Sequence, residues 1–260
     1  MNLGLEGKYA LVTGGSHGIG LAVALALAEE GCHVAICSRS HERLAAARKA
    51  IVKKNVQCLD VSADVLIPAD IERVMELIVK AWGTLHIVVN NVGGGGRWGT
   101  DSIETTPDEV WHQVYDKNTM AAIRFTRLAI PYMRAQKWGR IVTVTSTLGR
   151  QAGGRPWFNV AKHAQTCLMK NLSQNKELAR DGITFNSVAP GCVMIPDTGW
   201  ADEAKRDPEA FKRLLDEDFP LGRFGSPDEV AFAVVMLCSV QASLITGAAV
   251  AADGGESKSL

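Results

Sequence analysis

Charge of either sign has no surplus in this chain: Lys plus Arg and Asp plus Glu number 28 each. That balance gives no electrostatic footprint for a nucleic acid and no polybasic hold on a membrane surface. It also leaves little repulsion against self-association. No apolar run reaches the roughly 18 residues needed to cross a bilayer. The opening MNLGLEGKYALVTGG reaches its first strand within ten residues, which leaves no room for a signal peptide. The six cysteines (Cys32, Cys37, Cys58, Cys167, Cys192, Cys238) form no CxxC pair and no Cys/His cluster, so no metal site is expected. They read as small buried hydrophobes of a reduced, cytoplasmic protein. Linkers, repeats and low-complexity tracts are missing too, which favours one domain over residues 1–260.

What is present is an alternation. Short apolar runs at 8–14, 33–39, 57–65, 85–93, 139–146, 184–190 and 248–255 read as strands. Helical patterns lie between them at 19–31, 41–55, 68–82, 107–116, 118–136 and 157–180, and later at 208–217 and 227–240. Ser40 is placed to cap the second helix and Pro68 to begin the third. The strands are apolar at nearly every position, as in a parallel sheet covered on both faces. The expected fold is a doubly wound, Rossmann-type, three-layer α/β/α sandwich.

Ligands of such sheets sit at the carboxyl ends of the strands. The first strand ends in TGGSHGIG, Thr13 to Gly20. Its glycines suit a phosphate at a helix N-terminus, or simply a tight strand–helix turn, and the spacing is not GxGxxG. The fourth strand closes in NNVG (90–93), the fifth at Ser146 and the sixth in APG (189–191). In PWFNVAK, Phe158 and Lys162 are four apart and share one helix face.

Taken together these motifs resemble the short-chain dehydrogenase/reductase family over nearly the whole chain. PLGRFGSPDEV (220–230) and the closing AADGG resemble its 3-oxoacyl-ACP-reductase-like members. The resemblance implies a nicotinamide dinucleotide held by Gly14, Ser16, His17, Gly18, Ile19 and Gly20, by Asp64 and Val65 at the adenine, and by Asn91 and Gly93. Lys162, Pro190, Gly191 and Val193 complete that implied set. An NAD site usually ends its second strand with a carboxylate on the ribose. Here ICSRS ends in Ser38 and Arg39 instead, and a guanidinium suits the 2′-phosphate of NADP rather than NAD.

The family's catalytic set is Asn, Ser, Tyr and Lys. The resemblance maps it onto Asn118, which would support a water chain, Ser146, Phe158 and Lys162. Phe158 therefore stands at the position of the tyrosine acid, and a phenyl ring carries no proton. Four explanations stay open. The chain carries an engineered Tyr-to-Phe change, or it is a reductase with a replacement acid such as Ser146 or a water held by Lys162 and Asn118. Alternatively it performs other chemistry, such as hydrolysis or C–C cleavage, or it binds a dinucleotide without turnover. Tyr115 and His112 read as packing and solvated residues, and His163 projects away from the site. Arg155 reads as an anion contact or a loop charge. The segment 192–220 reads as a substrate lid, and GGGGRWGT (93–100) as a mobile loop. Trp98 and Trp200 read as stacking platforms or as loop anchors. A small-molecule substrate is expected. A homotetramer or homodimer built through 118–136, 157–180 and the last strand is implied by the resemblance.

Overall fold

The computed structural model describes residues 2–100 and 102–259. Its strands are β1 (Tyr9–Thr13), β2 (His33–Ser38), β3 (Cys58–Ser62), β4 (Ile87–Asn90), β5 (Gly139–Val144), β6 (Ile183–Pro190) and β7 (Ala249–Ala252). They form one seven-stranded sheet in the order β3-β2-β1-β4-β5-β6-β7. Every pairing is parallel. The early helices are α1 (Gly18–Glu29), α2 (His41–Val52), α3 (Pro68–Trp82), α4 (Asp108–Tyr115) and α5 (Ala121–Ala135). The later ones are α6 (Pro156–Ser173), α7 (Lys176–Arg180), α8 (Gly199–Arg206), α9 (Pro208–Asp218) and α10 (Pro227–Cys238).

Period-two geometry explains the continuous apolar strands. Ala10 and Val12 of β1 join Val34 and Ile36 of β2 in a core shared with α1, α2 and α10. Leu11, Ala35 and Cys37, the residues between them, join a second core with α3, α5 and α6. Strands β1 to β6 therefore feed two apolar layers, and a polar side chain among them is the exception. Arg140 of β5 is such an exception. It is fully buried, donates to the carbonyls of Ser239, Gly139 and Gly182, and stacks on Trp138.

The expected fold and nearly all the expected elements are present. Ser40 caps α2 by accepting from Arg43 N, and α3 spans Pro68–Trp82, closed by Gly83 in the left-handed conformation. Three expectations need correction. The helix expected at 157–180 is broken, because the Asn175 side chain accepts from Glu177 N and Leu178 N and starts α7 anew. The helices expected at 107–116 and 118–136 run together through a π turn at Asp116–Met120. Helix α8 (Gly199–Arg206) is short and mostly polar, and it lies inside the segment expected to be a lid rather than a helix. Cysteine burial is also uneven: Cys167 is exposed and Cys192 half-buried.

The approach to β7 is stitched to β6 by one buried side chain. Asn186 is fully buried, donates from Nδ2 to Ile245 O (2.7 Å), and accepts at Oδ1 from Ala248 N (3.0 Å). β7 leads on to Glu256, whose Oε2 accepts from Cys192 N (2.6 Å) beside the carboxyl end of β6. Asn186→Ala strips both backbone groups of their partner. We expect it to lower stability by about 1–3 kcal/mol, read as a lower urea midpoint with an unchanged slope.

Candidate active site

The strand order reverses between β1 and β4, and the chains diverge beyond Val12 and Val89. Side chains bridge that gap. Thr13 Oγ1 donates to Val89 O and accepts from Asn91 N (2.9 Å) and Val92 N (3.1 Å). Asn91 Nδ2 donates back to Thr13 O (2.9 Å). Above them opens a cleft of about 640 Å³ at the carboxyl ends of the strands, within the range of small-molecule and cofactor sites.

Gly14, His17, Gly18, Ile19, Gly20, Arg39, Asp64 and Val65 line one end of this cleft. Asn91 and Gly93 line its middle, and Ser146, Phe158, Lys162, Pro190, Gly191 and Val193 the other end. Two expected residues do not line it. Ser16 is buried and donates to Ser38 Oγ (2.8 Å). Asn118 is fully buried behind Gly94: Nδ2 donates to Gly94 O and Val114 O (2.8 Å each), and Oδ1 accepts from Gly94 N (3.2 Å). Its side chain fixes the loop after β4.

The glycine end fits a dinucleotide. A Cβ on Gly20 would stand 2.3 Å from Gly14 O and 2.4 Å from Asn91 Nδ2, so only glycine lets α1 start this close to β4. His17, the N-cap of α1, makes no side-chain cap bond, and the first turn carries no acid. The leading amides of α1 are thus left for an anion. His17 Nε2 instead lies 3.0 Å from Pro196 O, and Ile195 lies over Gly18, so the chain beyond β6 covers the glycine loop. Arg39 at the end of β2 is exposed and pairs with Asp64 at 4.0 Å.

The other end is built on α6. Lys162 is only 4% exposed, and its Nζ lies 5.6 Å from the centre of the half-buried Phe158 ring. Nζ donates to Val144 O (3.2 Å) and to Gln165 Oε1 (3.0 Å). Burial pushes the Lys162 ammonium down to about 7, and the neighbouring Lys117 charge adds to the shift. Lys117 is itself lowered by burial, then by Arg39, while Asp64 opposes. Ser146 Oγ accepts from Leu148 N (3.1 Å).

Arg155 does not line this cleft: one of its nitrogens donates to the carbonyls of Arg97, Trp98 and Gly99 (2.7, 2.7 and 3.0 Å) and anchors the glycine-rich loop. Arg97 crosses to α8, stacking on Trp200 at 4.7 Å and pairing with Glu203. The loop expected to be mobile is therefore tied at both of its flanks. Trp98 and Trp200 both line the cleft, Trp98 beneath Lys117 Nζ at 4.6 Å. Sequence reading missed Lys117 and Gln165. Lys117 directly precedes Asn118, and its place in the cleft depends on the π turn, which no local signal announces. Among the described residues, no group of three or more His, Cys, Asp or Glu is placed to hold a metal ion.

Comparison with known proteins agrees with this geometry. The family described as enoyl-(acyl carrier protein) reductase matches residues 14–257. A 3-oxoacyl-[acyl-carrier-protein] reductase of Aquifex aeolicus is 34% identical, covering 98% of this chain and 99% of that protein. A D-beta-hydroxybutyrate dehydrogenase of Cupriavidus necator is also 34% identical, over 96% of this chain and 98% of its own. The solved L-sorbose reductase of Gluconobacter frateurii, complexed with NADPH and L-sorbose, superimposes with a TM-score of 0.92 at 35% identity, covering all of both chains. With its sheet order, its cleft at the strand reversal and this similarity over nearly its whole length, the chain belongs to the short-chain dehydrogenase/reductase family.

Proposed function

We propose that this chain is an NADP(H)-dependent oxidoreductase that reduces small carbonyl compounds and oxidises the matching secondary alcohols. The observation that carries the cofactor choice is Arg39 at the end of β2, where no carboxylate stands, with Lys117 close enough across the cleft to feel its charge. An exposed guanidinium there suits a 2′-phosphate better than a ribose hydroxyl. The structure of the Gluconobacter frateurii relative with NADPH supports the same choice.

When bound, the reduced dinucleotide supplies the hydride. The residues of this chain then have distinct tasks. The bare N-terminus of α1 receives the pyrophosphate, and Arg39 the 2′-phosphate. Ser146 accepts from Leu148 N and keeps its own proton for orienting a substrate oxygen. Phe158 stands where the family carries its tyrosine acid and walls the site with an apolar ring. Ile195 and Trp200, in the lid 192–220, shut water from the cleft. One domain carries the whole site. A second reading, a non-redox enzyme or a silent binding protein on this scaffold, is favoured by Phe158 alone. Substrate conversion without dinucleotide oxidation would distinguish it.

The exposed Phe232 (74%) on α10 and Leu244 (94%), in the turn leading to β7, support a homo-oligomer built beside that edge strand. A tetramer or dimer meets this requirement. Four buried free thiols support a reducing, cytoplasmic setting.

Three outcomes are expected. Arg39→Ala weakens NADPH binding by about 10- to 100-fold, the loss of one or two charge-assisted hydrogen bonds, and leaves NADH binding unchanged in fluorescence titration. Phe158→Tyr raises carbonyl-reduction kcat by up to about 100-fold, the low end of what a positioned general acid contributes, with NADPH affinity unaltered. Phe232→Glu combined with Leu244→Glu shifts the sedimenting species to a smaller assembly.

A further inference from the structure

The amine of Lys162 is held by two groups that can only accept. Val144 O takes one N–H and Gln165 Oε1 another. Gln165 is fully buried, and its Nε2 donates to Asn118 O (2.9 Å). That bond fixes which end of the amide faces the lysine, because a flipped amide would set NH₂ against the amine and oxygen against a carbonyl. Asn118, the residue that the resemblance assigns to a water chain, is thus joined through its carbonyl to Lys162 by protein atoms.

This arrangement decides where the third valence of Nζ goes. A neutral amine has two N–H bonds, both taken by Val144 and Gln165, and its lone pair remains. An ammonium has one more N–H in the same direction. The open side of Nζ borders Gly93, where a Cβ would stand only 3.0 Å away, with the centre of the Phe158 ring 5.6 Å off; Lys162, Phe158 and Ser146 all line the cleft. Of the titratable candidates weighed from the sequence, Tyr115 is exposed outside the cleft lining and His163 is exposed against Asn159 O, while His17, Lys117 and Cys192 line the cleft with Lys162.

We infer that Lys162 is itself the proton donor and acceptor of this site, aimed at the substrate oxygen by Gln165 and the Val144 carbonyl. The inference rests on the reductase reading. With a reduced nicotinamide dinucleotide as two-electron donor, the carbonyl carbon gains the hydride and its oxygen takes the Nζ proton. The amine is left neutral and regains a proton from water in the cleft. In oxidation the lone pair accepts the hydroxyl proton.

The charge environment suits that task. Of the elements packed on α6, the π turn carries Lys117, whose charge reaches the amine. α4 brings His112, β5 Arg140 and α7 Glu177, and none of these three contributes to its shift. Burial with a neighbouring cation places the group at about 7, close to the optimum for a general acid near neutral pH. The acid form is lost as pH rises through that value, so reduction slows there while alcohol oxidation gains.

The test uses the full chain with and without NADPH. First, ¹⁵N-lysine-labelled protein without dinucleotide is titrated, following the Nζ signal that Lys162→Met removes. Its midpoint is expected at about 7. Gln165→Leu should move it down, because a carbonyl stabilising the charged form is lost, and Gln165→Glu up, because a carboxylate favours that form. Second, the pH midpoint of NADPH-driven reduction across a carbonyl panel should move in the same order, with NADPH affinity by fluorescence unchanged. A kinetic midpoint that stays put while the amine's midpoint moves, or an amine midpoint that neither variant moves, overturns the inference. So does a wild-type protein that binds NADPH and reduces nothing while Phe158→Tyr reduces; the reductase reading then survives. If both bind NADPH and neither reduces any carbonyl, the reductase reading fails and takes the inference with it.

Discussion

The cleft depends on how β1 and β4 part. Their ladder ends at Val12 and Val89, and beyond it the two chains turn toward opposite faces of the sheet. A gap between parallel strands exposes backbone groups that need partners. Thr13 and Asn91 supply them, the hydroxyl taking two amides of the β4 side and the amide side chain returning to the β1 carbonyl. The gap is therefore held open at fixed width. The bare start of α1 then sits on one side and the loop of Gly93 and Gly94 on the other. Asn118 carries that rigidity onward, because its buried side chain holds both the amide and the carbonyl of Gly94.

On α6 the same logic divides one helix into two faces. Trp157 and Ala161 turn inward to pack with Val114 and Trp111 in a small satellite core. Phe158 and Lys162, four apart, form the neighbouring stripe along the cleft, and Gln165, three further on, is buried behind it. Burying the lysine amine is costly. Its folded value lies below the ordinary lysine value, so the charged form at low pH opposes folding, and that cost fades as pH rises from about 7 toward 10.5. A group that weakens the fold at neutral pH is explained by the chemistry it serves.

Much of this was legible in the chain because the signals were local. Pro68 and Gly83 bracket α3, Ser40 caps α2, and uninterrupted apolar runs mark strands with two covered faces. The glycine loop, Arg39, Ser146 and Lys162 could be placed because they follow strand ends or lie one helical turn from another marker. What escaped depends on distance along the chain. Gln165 acquires its meaning from Asn118, 47 positions earlier, and Arg155 from carbonyls more than 50 positions away. Ser16 sits within the glycine loop, yet its hydroxyl turns to Ser38, a contact made only once β1 and β2 pair. Helix α8 escaped for a different reason: it is only eight residues long and mostly polar, inside the segment read as a lid.

The position that breaks the family's pattern is therefore better understood together with its neighbours. A phenol exchanged for a phenyl removes one oxygen and leaves everything else as it was. Here the ring lies beside an amine whose two acceptors are both non-acidic, whose glutamine partner is locked by a distant carbonyl, and whose titration is shifted by the charge of a second lysine. Each of these features acts on the amine and none acts on the ring. Gln165 orients the amine, burial and Lys117 bring its titration near neutrality, and Phe158 keeps that side of it dry. Such a set favours a site organised around Lys162 over one that has only lost a hydroxyl at Phe158.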